Sequence, residues 1–284
     1  MAKPNHACSG CKQSRLAFPF TMAFQPVLDL NEGRIDTHEA LVRGPDGEGA
    51  ASILERVNEE NLYAFDQACR VKAIEMAARL GLEGDLNINF LPRAVYEPRA
   101  CIRMTLDAAA RTGFPLNRLT FEFTENERVA DEAHILSIMQ EYRRHGFRVA
   151  LDDFGTGYSG LSRLANLRPD IIKLDRALVK DCDKDGVRLE ILRAMVAMGA
   201  AIGTKVVAEG IERVGEMETL RSIGVRFMQG YLFARPIFEG VATAASINWP
   251  AGSLSVPPRA AALPAMALRG PSATRYAAAA PPSP

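Results

Sequence analysis

The sequence predicts an α/β protein of the (β/α)8 TIM-like barrel type, with an antiparallel first strand. Three observations predict it. Eight apolar runs of strand length recur between residues 22 and 231, the later ones are separated by segments with helical spacing, and the first two are joined only by "NEGRI". Strand–helix alternation implies parallel pairing with right-handed crossovers, whereas a short turn makes antiparallel neighbours. Eight strands in roughly 230 residues suit one closed barrel; an open doubly wound sheet is the alternative architecture.

The runs follow in order. "MAFQPVLDL" (22–30) and "DTHEALV" (36–42) form the hairpin, and "LNINF" (86–90), "LTFEFT" (119–124) and "FRVALDDF" (147–154) follow it. "IIKLD" (171–175), "KVVAEG" (205–210) and "FMQGY" (227–231) complete the set. All are short, apolar and bounded by turn residues, as buried parallel strands are. Helical spacing marks residues 64–82, 131–147 and 186–203, with Met195 and Met198 in the last expected to be core.

Composition divides the chain into a cysteine-containing leader (1–17), the barrel (18–248) and a tail (249–284). The leader carries Cys8-x-x-Cys11 with His6 nearby, which is half of a structural zinc site or a flexible leader. Residues 250–284 hold 8 of the 17 prolines, 11 alanines and no acidic residue, so disorder is expected there. Lys plus Arg balance Asp plus Glu at 34 each, which argues against a nucleic-acid polymer or an anionic membrane as partner. No secretory h-region and no spanning run is evident, and five scattered cysteines fit a reducing compartment, so a cytoplasmic location is expected. His134, His145 and the remaining cysteines read as ordinary surface and packing residues, and Trp249 as packing a terminal turn.

Polar residues interrupt nearly every run, mostly toward its C-terminal end: Glu39, Asn89, Glu122, Asp152, Asp153, Lys173, Glu209 and Gln229. In a parallel barrel those ends share one face, where barrel enzymes place their chemistry. Any one of them alone is more often a cap or a surface charge. Together they predict a cup of five carboxylates, two amides and one ammonium. Hard oxygen donors without His or Cys point to Mg2+ or Mn2+, and a two-metal site suits in-line displacement at phosphorus. The adjacent carboxylates of Asp152 and Asp153 are tolerable if divalent cations neutralise them.

In order and spacing, "FQPV" (24–27), Glu39-Ala40-Leu41 within "EALVRG", "INF" (88–90), "EFTE" (122–125), "DDFGTGYSGL" (152–161), "DIIKLD" (170–175), "VVAEGIE" (206–212) and "QGYLFARP" (229–236) resemble the EAL-domain phosphodiesterases of bacterial cyclic di-GMP signalling. The resemblance runs from about Phe18 to Ile237. It implies hydrolysis of cyclic di-GMP to linear pGpG with two Mg2+ or Mn2+ ions per active site, in a homodimer. Carried over by position, Glu39, Asn89, Glu122 and Asp152 look like first-metal ligands, and Asp153 like a second-metal ligand with Asp152 bridging. Asn87 competes with Asn89 on the same strand face, but the family pattern puts the ligand three residues before a proline, as in "NFLP" (89–92). Glu209 is either a metal ligand or the general base. Lys173 holds or polarises water, and Gln229 positions water or substrate. Arg43, Gln25 and Pro236 are implied to bind substrate, while Glu125, Phe154, Gly155, Gly157 and Glu212 belong to the coupling between dimer contacts and site.

Many relatives carry Trp where Gly44 stands, a departure that touches loop shape only. A non-catalytic cyclic di-GMP receptor acting through a regulatory protein partner is the rival reading, and a domain acting by protein contact alone is a third. The complete acidic set favours the enzyme.

Overall fold

The computed structural model describes residues 16–125, 132–157 and 160–251. Cys8, Cys11, His6 and nearly all of the Pro/Ala-rich tail lie outside them. The strands are β1 (Thr21–Asp29), β2 (Arg34–Arg43), β3 (Asp85–Asn89), β4 (Leu119–Thr124), β5 (Arg148–Phe154), β6 (Ile171–Leu174), β7 (Lys205–Ala208), β8 (Phe227–Met228) and β9 (Ile237–Phe238). From β2 to β8 each strand pairs in parallel with the next, and β1 closes the ring antiparallel to both β2 and β8. The result is the expected eight-stranded mixed barrel. The sequence reading missed β9, which pairs antiparallel with β1 outside the ring. At two residues it is too short to carry a periodic signal.

Around the barrel lie α1 (Ala50–Leu54), α2 (Leu62–Arg79), α3 (Pro98–Cys101), α4 (Arg103–Thr112), α5 (Glu132–Arg144), α6 (Gly160–Leu167), α7 (Arg176–Val179), α8 (Gly186–Ile202) and α9 (Val214–Ser222). Local chemistry sets several ends. Asp185 caps α8 by accepting from the amides of Val187 and Arg188, and Gly203 at φ 75° ends it in the left-handed region.

Two apolar layers result from strand alternation. Outward residues such as Phe24, Ile88, Phe121, Leu151 and Ile172 join the large core beneath the helices. Inward, Val27, Ala150, Ile171 and Val207 form a separate buried cluster. Each stands two residues from an inward polar side chain: Gln25, Asp152, Lys173 and Glu209. The barrel therefore has an apolar floor one step below its polar mouth.

Met195 and Met198 pack against the core as half-buried residues, while α8 fully buries only Leu192 and Gly199. Val187 and Ile191 on the same helix are 72% and 41% exposed. The described cysteines, Cys69, Cys101 and Cys182, are buried and form no disulfide, and Trp249 packs on the core and donates to the Ala244 carbonyl. No described helix is long and apolar enough to cross a membrane.

Candidate active site

The mouth is organised around Lys173, which is 1% exposed at the end of β6. Its ammonium lies 2.7 Å from Glu209, 3.0 Å from Glu122, 3.2 Å from Asp152 and 3.5 Å from Glu39. Four carboxylates thus share one cation. Parallel register explains the convergence: Glu122, Asp152 and Lys173 come from adjacent strands, while Glu209 and Gln229 lie one residue beyond the ends of β7 and β8.

Electrostatics divides these carboxyls. Burial would raise Glu39, but the Lys173 charge and hydrogen bonds from Gln229 and Asn89 outweigh it and hold the carboxyl below its ordinary value. Glu122 is pushed up to about 8, chiefly by burial, with repulsion from Glu39 and Asp152 offsetting Lys173. Burial, with Asp152 and Glu39 close by, drives Glu209 well above the carboxylate range. Burial would lower the Lys173 pKa, but the carboxylates around it outweigh that and raise it well above its ordinary value.

The amides knit the rim. Gln229 donates to Glu39 at 2.8 Å and to Gln25 at 3.2 Å, and Gln25 donates to the Ala234 carbonyl. Gln25 is opposite Glu39 in the antiparallel register, so β1 delivers it to this end although it runs the other way. Asn89, exposed at the mouth, donates to Glu39 at 3.2 Å. Asn87 lies deeper, 3% exposed, and donates to Glu122 at 2.5 Å. The two asparagines share a face but not a depth. Sequence reasoning gave Asn87 no role; the structure makes it a support for Glu122.

Asp152 and Asp153 also separate. Asp153 adopts φ 53°, unusual for a non-glycine residue, where the β5–β6 register is interrupted. Asp152 stays with Glu39 and Glu122, whose carboxylate oxygens all lie within 4.8 Å of one another. Asp153 is half-buried, pushed up to about 6 by burial and by Asp152 and Asp175. The following loop is tied back, with Glu125 accepting the Gly155 amide at 2.8 Å. Phe154 is buried beside β6, and a Cβ on Gly155 would clash with Leu178 in α7. Gly157 follows half-buried, and Tyr158 and Ser159 lie outside the described residues.

Beside the cluster a cavity of about 340 Å³ is bordered by Glu39, Glu209, Asp175, Arg176 and Tyr231. Arg176 pairs with Glu212 at 2.8 Å, so Lys173 is not the only cation here. Asp175, Arg176 and Tyr231 were missed, although "DIIKLD" and "QGYLFARP" adjoin or contain them. Arg43 ends β2 with its guanidinium on the Val42 carbonyl, and Pro236 is half-buried just before β9. Neither meets the carboxylates directly.

The oxygen donors fit a hard divalent cation. Glu39, Glu122 and Asp152 converge in a buried site, and Gln229 Oε1 is buried without a hydrogen-bond partner among the described residues. Fold and site together define a barrel with a candidate divalent-cation centre at the C-terminal ends of its parallel strands.

The family model for the EAL domain matches residues 14–236, and the chain belongs to the EAL domain family. It is similar to a standalone EAL protein of Vibrio cholerae O395 solved in its c-di-GMP-bound form, at 47% identity and TM-score 0.79, covering 82% of this chain and 98% of that one. It also resembles BlrP1 of Klebsiella pneumoniae in a manganese/cyclic-diGMP complex, at 32% identity and TM-score 0.75, covering 81% and 59%. The cyclic di-GMP phosphodiesterase NbdA of Pseudomonas aeruginosa is 30% identical over 227 residues, which are 75% of this chain and 28% of that protein. The chain spans between about a fifth and just over half the length of the curated relatives it matches.

Proposed function

We propose that this chain is a metal-dependent phosphodiesterase that hydrolyses cyclic di-GMP to linear pGpG with two Mg2+ or Mn2+ ions per active site. The observation that carries the reading is the buried group of four carboxylates around Lys173 at the barrel mouth. Likeness to relatives solved with cyclic di-GMP, one of them with manganese, supports the substrate and ion class.

Glu39, Asn89, Glu122 and Asp152 would hold the first ion, and Asp153 the second, with Asp152 shared. Bound there, the ions supply Lewis acidity toward a phosphate oxygen and a lowered pKa for the attacking water. The protein supplies the rest. Lys173 keeps its charge among the carboxylates and donates to water, fixing its direction of approach. Glu209, on the cavity wall, is a second-ion ligand or takes the proton. Gln229 orients Glu39 and water together. Arg43 meets a phosphate with a rigid two-pronged donor set, and Gln25 and Pro236 flank a guanine.

Two copies pair in a homodimer through the exposed apolar face of α8, around Val187 and Ile191. The Gly155 loop, held by Glu125 and packed on Leu178, together with Glu212, links that face to Asp152 and Asp153. The setting is cytoplasmic.

Chromatography of the nucleotides after incubation with cyclic di-GMP and Mg2+ or Mn2+ tests the reading, with EDTA and Glu39→Ala controls. Conversion to pGpG that requires both metal and Glu39 is expected. A dinucleotide that stays bound and uncleaved would make the cup a sensor and direct attention to a protein partner.

A further inference from the structure

Behind the mouth, α2 buries a full charge. Arg70 is 0% exposed, and its guanidinium lies 2.7 Å from Asp66 one turn earlier on the same helix. It also donates to the Tyr142 hydroxyl of α5 and stacks over Phe90 and Phe121, 5.3 and 5.4 Å from their ring centres. These rings are the outward neighbours of two site residues: Phe90 follows Asn89, and Phe121 precedes Glu122. The second Asp66 oxygen accepts the Leu91 amide at 2.9 Å.

β3 ends at Asn89. Beyond it, the Phe90 amide still reaches the Glu122 carbonyl at 2.9 Å, and the Leu91 amide is held by Asp66. Asn87, inside the ladder, is placed by strand register. Asn89 is less constrained: it pairs with Glu122 of β4, but on the β2 side the register ends at Ala40 and Ile88, and its exposed side chain makes one long bond to Glu39. Its position therefore depends on where the strand exit is anchored. A buried ion pair is commonly no more stabilising than apolar side chains of the same volume. Apolar replacements, however, could not accept the Leu91 amide.

We propose that the buried Asp66–Arg70 pair is a positioning device that fixes the exit of β3, sets the place of Asn89 in the cup and so tunes divalent-cation affinity. This rests on the reading of Asn89 as a cation ligand. Residues that orient ligands from behind typically change metal affinity by about 10- to 100-fold when replaced.

The test measures Mn2+ affinity of the full chain, from the electron paramagnetic resonance signal of free Mn2+, without substrate. Four variants are compared: Asp66→Ala, Asp66→Asn, Asn89→Ala and Asp29→Asn, the last in a buried ion pair at the opposite end of the barrel. Asp66→Ala is expected to weaken Mn2+ binding about tenfold, and Asp66→Asn to weaken it less. Asp29→Asn is expected to lower the melting temperature without changing Mn2+ affinity. If Asp66→Ala does not fold, Asp66→Asn decides. Wild-type affinity in the folded Asp66 variants, with weakened binding in Asn89→Ala, would overturn the positioning role alone. Wild-type affinity in Asn89→Ala would overturn the ligand reading and the proposal with it. Equal weakening in Asp29→Asn would reduce the effect to general loss of stability and also overturn the proposal.

Discussion

The two ends of the barrel handle charge in opposite ways. At the end opposite the cup, Asp29 is fully buried but held by Arg226 through two bonds of 2.5 and 2.8 Å, and Asp36 pairs with Lys205 and Arg34. Burial would raise the Asp29 carboxyl, but Arg226 and the amides of Glu32 and Asn31 outweigh it and bring it below 3.8. At the mouth, one ammonium faces four carboxylates, and two of these are pushed upward. Satisfied charges at one end stabilise the closed ring. Unsatisfied charges at the other leave a site that a cation completes, as expected where barrels separate stability from chemistry.

Removing a carboxylate at the mouth should give the largest effect. Glu39→Ala is expected to lower turnover of cyclic di-GMP by about a thousandfold or more, the scale of several kcal/mol of transition-state stabilisation. The melting temperature should fall modestly, since Lys173, Gln229 and Asn89 hold the Glu39 carboxylate in its ionised form and lose that partner. Near-normal turnover would break the functional half of the contrast.

Lys173→Met comes next. It leaves the carboxylates without their cation and should cost about 3–5 kcal/mol of stability, the scale for breaking a buried ion pair. The loss should deepen as pH rises and the carboxyls ionise. Saturating Mn2+ should restore most of it, which denaturant melts with and without the ion would reveal. Asp29→Asn should cost less, about 1–2 kcal/mol, because Arg226 remains partly solvated, and should leave turnover unchanged. Since the Asp29 carboxyl titrates lower folded than unfolded, its contribution is present above about pH 4 and fades as pH falls further.

The smallest effect sharpens the contrast most directly. With Glu122 pushed up to about 8 by burial, the metal-free cup holds a proton there at pH 7. A cation must displace it. Binding should release up to about one proton per site, and affinity should increase as pH rises toward about 8. Calorimetry in buffers of different ionisation enthalpy measures the release, and none would mean the carboxyls are already ionised.

Much of this architecture was legible in the chain. Runs such as "LTFEFT" and "IIKLD" define strands because burial on both faces leaves short apolar runs bounded by turn residues, and the short "NEGRI" turn dictates the antiparallel start. The acidic residues at strand ends were legible for the same reason: parallel order sends all those ends to one face. The two-residue β9 and the exposed side of α8 were not, because neither changes local periodicity.

What the sequence by itself determined is the barrel, its open end and the residue types gathered there, since these follow from periodicity and chain order. What only the tertiary structure decided is how neighbours divide their work. Asp153 takes a left-handed backbone conformation that Asp152 does not, Asn89 stands above Asn87, and Lys173 is shared by four carboxylates. Those distinctions depend on depth, dihedral angle and distance across strands. They are set by packing between segments remote in the chain, which local sequence does not encode.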